Sequence, residues 1–297
     1  MILTQLLGGM GNQMFQYAVG KHLAILNNTE LKLDKSILIN WAPGKHAVNR
    51  DFDLDIFNLE PNFLGKKEIL GYHSDGASLH EKIFHKIRKQ LTGKVTTTEQ
   101  YFHFNPEVLQ LKGNVYLTGT WQSYKYFEDI ENEIKKDFAF RFPLNENSCK
   151  LFDKIKNTQA VCLNVRRTDY ITVANTASTM AAVSMDYYKT AIQEMKKMIG
   201  EFEVFIFSDD IEWCKNNFGF INSPVEFVDY SHAGKKFGNY LRLMMACKNF
   251  IIPNSTFAWW AAWLNADEQK KVIAPVKWFN DASVNTNDLI PEQWIRL

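Results

Sequence analysis

The sequence predicts an α/β protein made of two successive open, parallel sheets. Three observations carry this reading. The chain opens as strand, glycine turn, helix and strand. A turn-rich stretch, FPLNEN at Phe142 to Asn147, interrupts it near the middle. Beyond that stretch, short apolar runs again alternate with helical patterns almost to the end. At 297 residues, 46% of them hydrophobic, the chain is long enough for two cores. The division is placed at 145/146, giving domains of residues 1–145 and 146–297.

The elements follow in order. Ile2 to Leu7 is an apolar strand that ends at Gly8, Gly9 and Gly11, and Gln13 to Leu26 has helical spacing. Glu30 to Asp34 alternates like a second strand. From Asn40 to Lys112 the pattern is mixed, with a charged helical stretch at His80 to Leu91. Val115 to Thr118 reads as a strand and leads into the aromatic segment GTWQSYKYF. After FPLNEN, Ala160 to Val165 (AVCLNV) is a buried strand, Tyr187 to Met198 a helix and Glu203 to Phe207 a strand. Helix Asp210 to Asn217, strand Val225 to Val228 and helix Tyr240 to Ala246 come next. Strand Phe250 to Ile252, helix Thr256 to Leu264 and strand Lys271 to Ala274 complete the series.

Composition narrows the function. With 34 basic and 33 acidic residues, no global field favours nucleic acid, so an anion must be held by a local cluster. Cys149, Cys162, Cys214 and Cys247 lack metal-ligand spacing and read as reduced, mostly buried thiols. MILTQLLGGMGNQ has no basic start and reads as a first strand rather than a secretion signal. The apolar stretch Phe257 to Leu264 is far short of the ~20 residues a bilayer requires. The expectation is a cytoplasmic protein without a transmembrane segment, with peripheral attachment to a membrane surface left open.

Ligands of open α/β sheets sit at the carboxyl ends of strands, so the segments just after each strand are the candidates for chemistry. In GGMGNQ, glycines allow close backbone approach and the following helix presents N–H groups to an anion. Asp34 lies at the distance a dinucleotide fingerprint requires, but Met14 stands where its third small residue belongs. An oxidoreductase is therefore disfavoured. In NVRRTDY, adjacent arginines point different ways: one can enter the cleft while the other reaches outward or braces the loop. An arginine fork suits a diphosphate, and Asp169 can orient one guanidinium or itself face the acceptor. In FSDD, Ser208 and Asp209 can reach a ribose or base while Asp209 or Asp210 caps the next helix. In IIPNSTFAWWAAWLN, Asn254 or Ser255 can cap a helix starting near Thr256, a cradle for phosphate. Trp259, Trp260 and Trp263 are assigned to packing. Trp121, Tyr124 and Tyr126 can stack on a sugar, though burial is preferred.

Taken together, GGMGNQMFQYAVG, VRRTDY, FSDD and NSTFAWWAAWL resemble, in order and spacing, the bacterial α-1,2-fucosyltransferases, glycosyltransferase family eleven. GTWQSYKYF and the ending WFNDASVNTNDLIPEQWIRL resemble that family too. The resemblance implies a GT-B-type fold, two Rossmann-like domains facing a central cleft, with the acceptor on the first and the donor on the second. It implies an inverting transfer from GDP-fucose to an acceptor glycan, at galactose O2 in surface polysaccharide synthesis, without a metal or other cofactor. Arg166 is then expected on the diphosphate with Ser255 and Thr256. Gly9, Gly11 and Asn12 approach the donor from the other domain, and Ser208 and Asp209 lie near the nucleoside. Asp169 is the first choice of general base. The sequence departs from the family pattern in two places: Asn164, expected close to the nucleotide where it can keep a hydrogen bond, replaces the usual histidine, and Tyr240 replaces the usual acidic residue. A different nucleotide sugar, or a non-catalytic nucleotide- or glycan-binding relative, is the alternative.

Overall fold

The computed structural model describes residues 1–39, 51–65, 94–167 and 183–297. It divides into two compact units, Met1–Ala139 with Asn285–Leu289, and Phe140–Val284 with Ile290–Leu297. The return of residues 285–289 to the first unit is something no single cut in the sequence can express.

In the first unit, β1 (Ile2–Gln5) leads into α1 (Met10–Leu26), followed by β2 (Leu31–Asp34) and α2 (Ser36–Ile39). Then come β3 (Lys94–Thr98), β4 (Asn114–Thr118) and α3 (Glu131–Asp137). Among the described residues these strands form a parallel sheet of order β2-β1-β4-β3. β3 falls inside the stretch read as mixed, because KVTTT is too polar to stand out as a strand. The helical stretch His80 to Leu91 lies outside the described residues.

α1 begins at Met10 rather than Gln13 and is buried on almost every side. Its polar side chains are buried because each meets a backbone group. Gln16 accepts from the Leu7 N–H at 3.0 Å and donates to the Gly119 carbonyl at 3.0 Å, tying the exits of β1 and β4 together. Gln13 donates to the carbonyls of Gly8 and Asp51, and His22 Nδ1 meets the Tyr126 carbonyl at 2.7 Å. The tight helix–strand contact is made at Gly20, not near Met14. A Cβ at Gly20 would come within 2.2 Å of Thr4 Oγ1.

The second unit holds α4 (Glu146–Lys156), β5 (Ala160–Val165), α5 (Met185–Ile199), β6 (Glu203–Ser208), α6 (Ile211–Asn217) and β7 (Val225–Val228). α7 (Gly238–Ala246), β8 (Asn249–Ile251), α8 (Thr256–Leu264), β9 (Val272–Ala274) and β10 (Ile295–Arg296) complete it. The FPLNEN stretch read as a linker is partly helix: Asn145 caps α4 by accepting from the Ser148 N–H at 2.8 Å. The described strands pair in parallel in the order β10-β9-β8-β5-β6-β7. Central strands of such a sheet are covered on both faces, which is why AVCLNV is buried at every position. Val161, Leu163, Val204, Ile206, Ile251 and Ile273 pack on one face against Tyr188, Ala191, Ile192 and Met195 of α5. All four cysteines are free thiols; Cys162, Cys214 and Cys247 are buried and Cys149 is exposed.

Candidate active site

In an open parallel sheet the binding crevice forms outside the carboxyl ends, where the strand order reverses. In the second unit that point lies between β5 and β8, since β6 and β7 extend to one side and β9 and β10 to the other. Neighbouring strands are ~4.8 Å apart, so the residues leaving β5, β6 and β8 converge. Those residues are Arg166 and Arg167, Ser208 to Asp210, and Asn254 to Thr256.

The two arginines take different tasks. Arg166 Nε lies 3.4 Å from Asp209 Oδ2, and Asp209 Oδ1 accepts the Arg167 backbone N–H at 2.9 Å. One carboxylate therefore sets both the guanidinium and the turn that carries it. Arg167 turns toward α6, with Nε 3.4 Å from Asp210 Oδ2 and its guanidinium 4.2 Å over the Trp213 ring. Arg167 braces the loop against α6, whereas Arg166 stays at the exit of β5 with Asp209. A half-solvated pair of this kind contributes about 0–1 kcal/mol to folding, so Asp209 serves orientation more than stability. Asp169, the carboxylate expected to orient an arginine or act as base, lies outside the described residues.

The Ser-Asp-Asp cluster divides its work as well. Asp210 caps α6 by accepting from the Trp213 N–H at 3.2 Å, and buried Ser208 Oγ accepts the Asp210 N–H at 2.9 Å. Ser208 thus shapes the turn that presents Asp209. Buried Asn164 donates from Nδ2 to the Phe207 carbonyl at 3.0 Å, tying β5 to β6 just before the arginines. This link needs only an uncharged amide, which accounts physically for asparagine there.

α8 starts without a side-chain cap, as α7 does. Asn145, Ser184 and Asp210 cap α4, α5 and α6 with their side chains, whereas Ser255, the cap residue of α8, makes no such bond. The first N–H groups of α8 and the half-buried hydroxyl residues Ser255 and Thr256 stand at the sheet reversal, where the helix favours negative charge. Asn254 serves the scaffold: it is fully buried and donates to the Trp278 carbonyl at 2.8 Å. Trp259, Trp260 and Trp263 are buried and pack on one another, as expected.

A feature the sequence reading missed is the loop leaving β7. Tyr230 and Phe237 are about half exposed, with ring centroids 5.8 Å apart and edge to face. Gly234 (φ +67°), Lys236 (φ +48°) and Phe237 (φ +61°) all have left-handed backbones, at a cost of about 1–3 kcal/mol for each non-glycine. Buried Tyr240 supports both rings, packs edge-on against Phe207 and donates its hydroxyl to the Val228 carbonyl. Position 240 is therefore a packing position, which an acidic side chain would not fill. Burial pushes the Tyr230 hydroxyl up, and nearby Asp209 adds to this, so the ring stands within electrostatic reach of the arginine site. The available signal was two aromatics in the loop directly after VEFV.

In the first unit the order reverses between β1 and β4. Here the conformational demand falls on Gly8 (φ +74°), not on Gly9 or Gly11. Gly9 is extended and its carbonyl accepts the N–H groups of Asn12 and Gln13, while Gly11 is buried in the first turn of α1. Asn12 Oδ1 accepts from Gln122 Nε2 at 3.0 Å, reaching the loop that leaves β4.

Comparison with known proteins places this geometry. Residues 1–297 match the family described as Glycosyl transferase family 11. The chain is 32% identical to an alpha-1,2-colitosyltransferase of Escherichia coli, over all of this chain and 98% of the other. It is 33% identical to the O-antigen biosynthesis glycosyltransferase WbnK of Escherichia coli, over 98% of each. NodZ of Bradyrhizobium, an alpha-1,6-fucosyltransferase crystallised and soaked with GDP-fucose, is similar in fold. Its TM-score is 0.52 at 15% identity, over 89% of this chain and 91% of that one. No helix among the described residues is long and apolar enough to cross a membrane. On a match to the family along its whole length, and on full-length relatives more than 30% identical, this chain is a glycosyltransferase and belongs to glycosyltransferase family 11.

Proposed function

We propose that the protein transfers fucose from GDP-fucose to a hydroxyl of an acceptor glycan, galactose O2, with inversion and without a metal. The two units act as the Rossmann-like halves of a GT-B enzyme, the first taking the acceptor and the second the donor. The observation that supports the reading is the strand order: Arg166, paired with Asp209, leaves β5, and the neighbouring strand β8 leads into the start of α8, at the point where the sheet order reverses. In this reading the acceptor oxygen attacks the anomeric carbon from the face opposite the diphosphate. The new C–O bond forms as the bond to the phosphate oxygen breaks, through an oxocarbenium-like state. Negative charge grows on the departing oxygen, and Arg166 with the α8 N–H groups, Ser255 and Thr256 stabilises it. Tyr230 and Phe237 offer the nucleoside base an aromatic face. Gly9, Gly11 and Asn12 contribute to donor binding from the first unit. The acceptor proton goes to Asp169, and a pH–rate profile of Asp169→Asn that keeps its acidic limb would remove it from that role.

A second donor has a specific observation in its favour, since a full-length relative is named for colitose transfer. The test is a thermal-shift and turnover panel of GDP, UDP, CMP and ADP with their sugar conjugates, GDP-fucose and GDP-colitose included. A ligand at one hundred times its Kd stabilises by about 2.7 kcal/mol. Selective stabilisation by GDP and release of GDP from GDP-fucose are expected. Preference for another nucleotide would overturn the donor, and faster turnover of GDP-colitose would replace fucose as the sugar.

A further inference from the structure

The exits of β3 and β4 in the first unit carry a cavity of about 180 Å³, lined in part by Glu99, Tyr101, Asn105, Glu107, Trp121 and Tyr126. Its construction is costly. Trp121 has φ +56°, a conformation that bulky residues avoid. Glu99 holds it there: the carboxylate accepts the Thr120 N–H at 2.6 Å, the Thr120 hydroxyl at 2.9 Å and the Trp121 N–H at 3.0 Å. Gly119 (φ +148°) lets Glu99 come this close, since a Cβ there would lie 2.4 Å from Glu99 Cβ. Burial pushes the Glu99 carboxyl above its usual range, so the clamp is a desolvated one.

The same loop leaves polar groups unused. Trp121 Nε1, Gln122 Oε1 and Ser123 Oγ are buried and find no hydrogen-bond partner among the described residues. Of these three residues Trp121 lines the cavity; a buried donor left unpartnered weakens a fold, and one on a strained loop beside a cavity is a group that a ligand can complete. Among the described residues, carboxylates line the cavity and no lysine or arginine does, a lining that does not favour a phosphate. Aromatic walls beside hydrogen-bonding groups suit a ring with an apolar face and a rim of hydroxyls.

We propose that this cavity seats a neutral pyranose unit of the acceptor glycan, with the Trp121 indole N–H donating to a sugar hydroxyl and Tyr101, more than half exposed, covering one face of the ring. Glu99 is a positioning residue that acts through Trp121. The proposal rests on the glycosyltransferase assignment but is independent of the donor.

The test is saturation-transfer NMR and titration of the full chain with methyl glycosides of galactose, glucose and N-acetylglucosamine. At least one binds the wild type, Trp121→Phe weakens it about five- to tenfold, and Tyr101→Ala weakens it several-fold. Tyr101→Ala changes an exposed side chain, so it reports on binding even where Trp121→Phe folds poorly. No binding of any glycoside to the wild type, or an unchanged Kd in both variants, overturns the subsite. GDP release from GDP-fucose, measured on the same preparations, tests the donor separately: its absence sinks the fucose reading, while the subsite stands or falls by the titration.

Discussion

Replacing Arg166 by alanine should abolish transfer while leaving the fold nearly as stable as before. The structural cost follows from the geometry of its ion pair with Asp209. Arg166 and Asp209 meet at 3.4 Å with 32% and 14% of their side chains exposed, so solvent screens the pair. Such a pair contributes about 0–1 kcal/mol, and loss of the whole of it moves the melting temperature by at most about 4 °C. On the proposed mechanism the catalytic cost is larger, because the guanidinium meets charge that develops only as the diphosphate departs. Removing one preorganised donor from such a site costs about 2.7–4 kcal/mol, or about 10²–10³ in rate. Arg166→Lys keeps the charge but not the fork, and its ammonium can be captured by Asp209, so less than about tenfold is regained. Asp209→Asn keeps an oxygen for the Arg167 N–H but no longer aims the guanidinium, and turnover falls about tenfold while the fold persists. GDP release with saturating donor and acceptor, read beside a circular-dichroism melt, separates the two costs. A natively melting Arg166→Ala enzyme within about threefold of wild-type kcat/KM would refute the reasoning.

Two further outcomes test the scaffold. Gly20→Ala should destabilise by about 1–3 kcal/mol in urea unfolding, because its Cβ would meet Thr4 Oγ1 at 2.2 Å and Leu31 Cδ1 at 2.8 Å. That clash outweighs the ~1 kcal/mol that alanine gains over glycine inside a helix, and a stabilised variant would show that α1 and β1 are not in this contact. Burial raises the folded-state pKa of Glu99, so its contribution to stability is full below the unfolded value and is lost as pH rises through the raised one. Relative to Glu99→Gln, the wild type should therefore lose stability across that window in melts from pH 4 upward. A constant difference between the two proteins would remove the desolvated clamp.

The alternation of strand and helix was readable because periodicity is local. Residues three or four apart in a helix, or two apart in a strand, share a face whatever the rest of the chain does. Ala160 to Val165, Val225 to Val228 and Thr256 to Leu264 were therefore located to the residue. VRRTDY and NSTFAWWAAWL stood out in the sequence for a similar reason: adjacent arginines and a hydroxyl-rich helix start are visible in composition alone. β3 and β10 escaped, one for its polarity and the other because two residues have no period.

Only the tertiary structure decided which strand tips are neighbours, since strand order is a matter of pairing between segments far apart in sequence. It placed the reversal at β5 and β8, made Asp209 a partner of Arg166 across the β5–β6 register, and put the positive backbone angle of the first turn at Gly8. It also brought Glu99 onto Thr120 and Trp121, more than 20 residues away in sequence. Local pattern specifies what each segment becomes; the side chains that face one another are selected by long-range packing, which no short window of sequence contains.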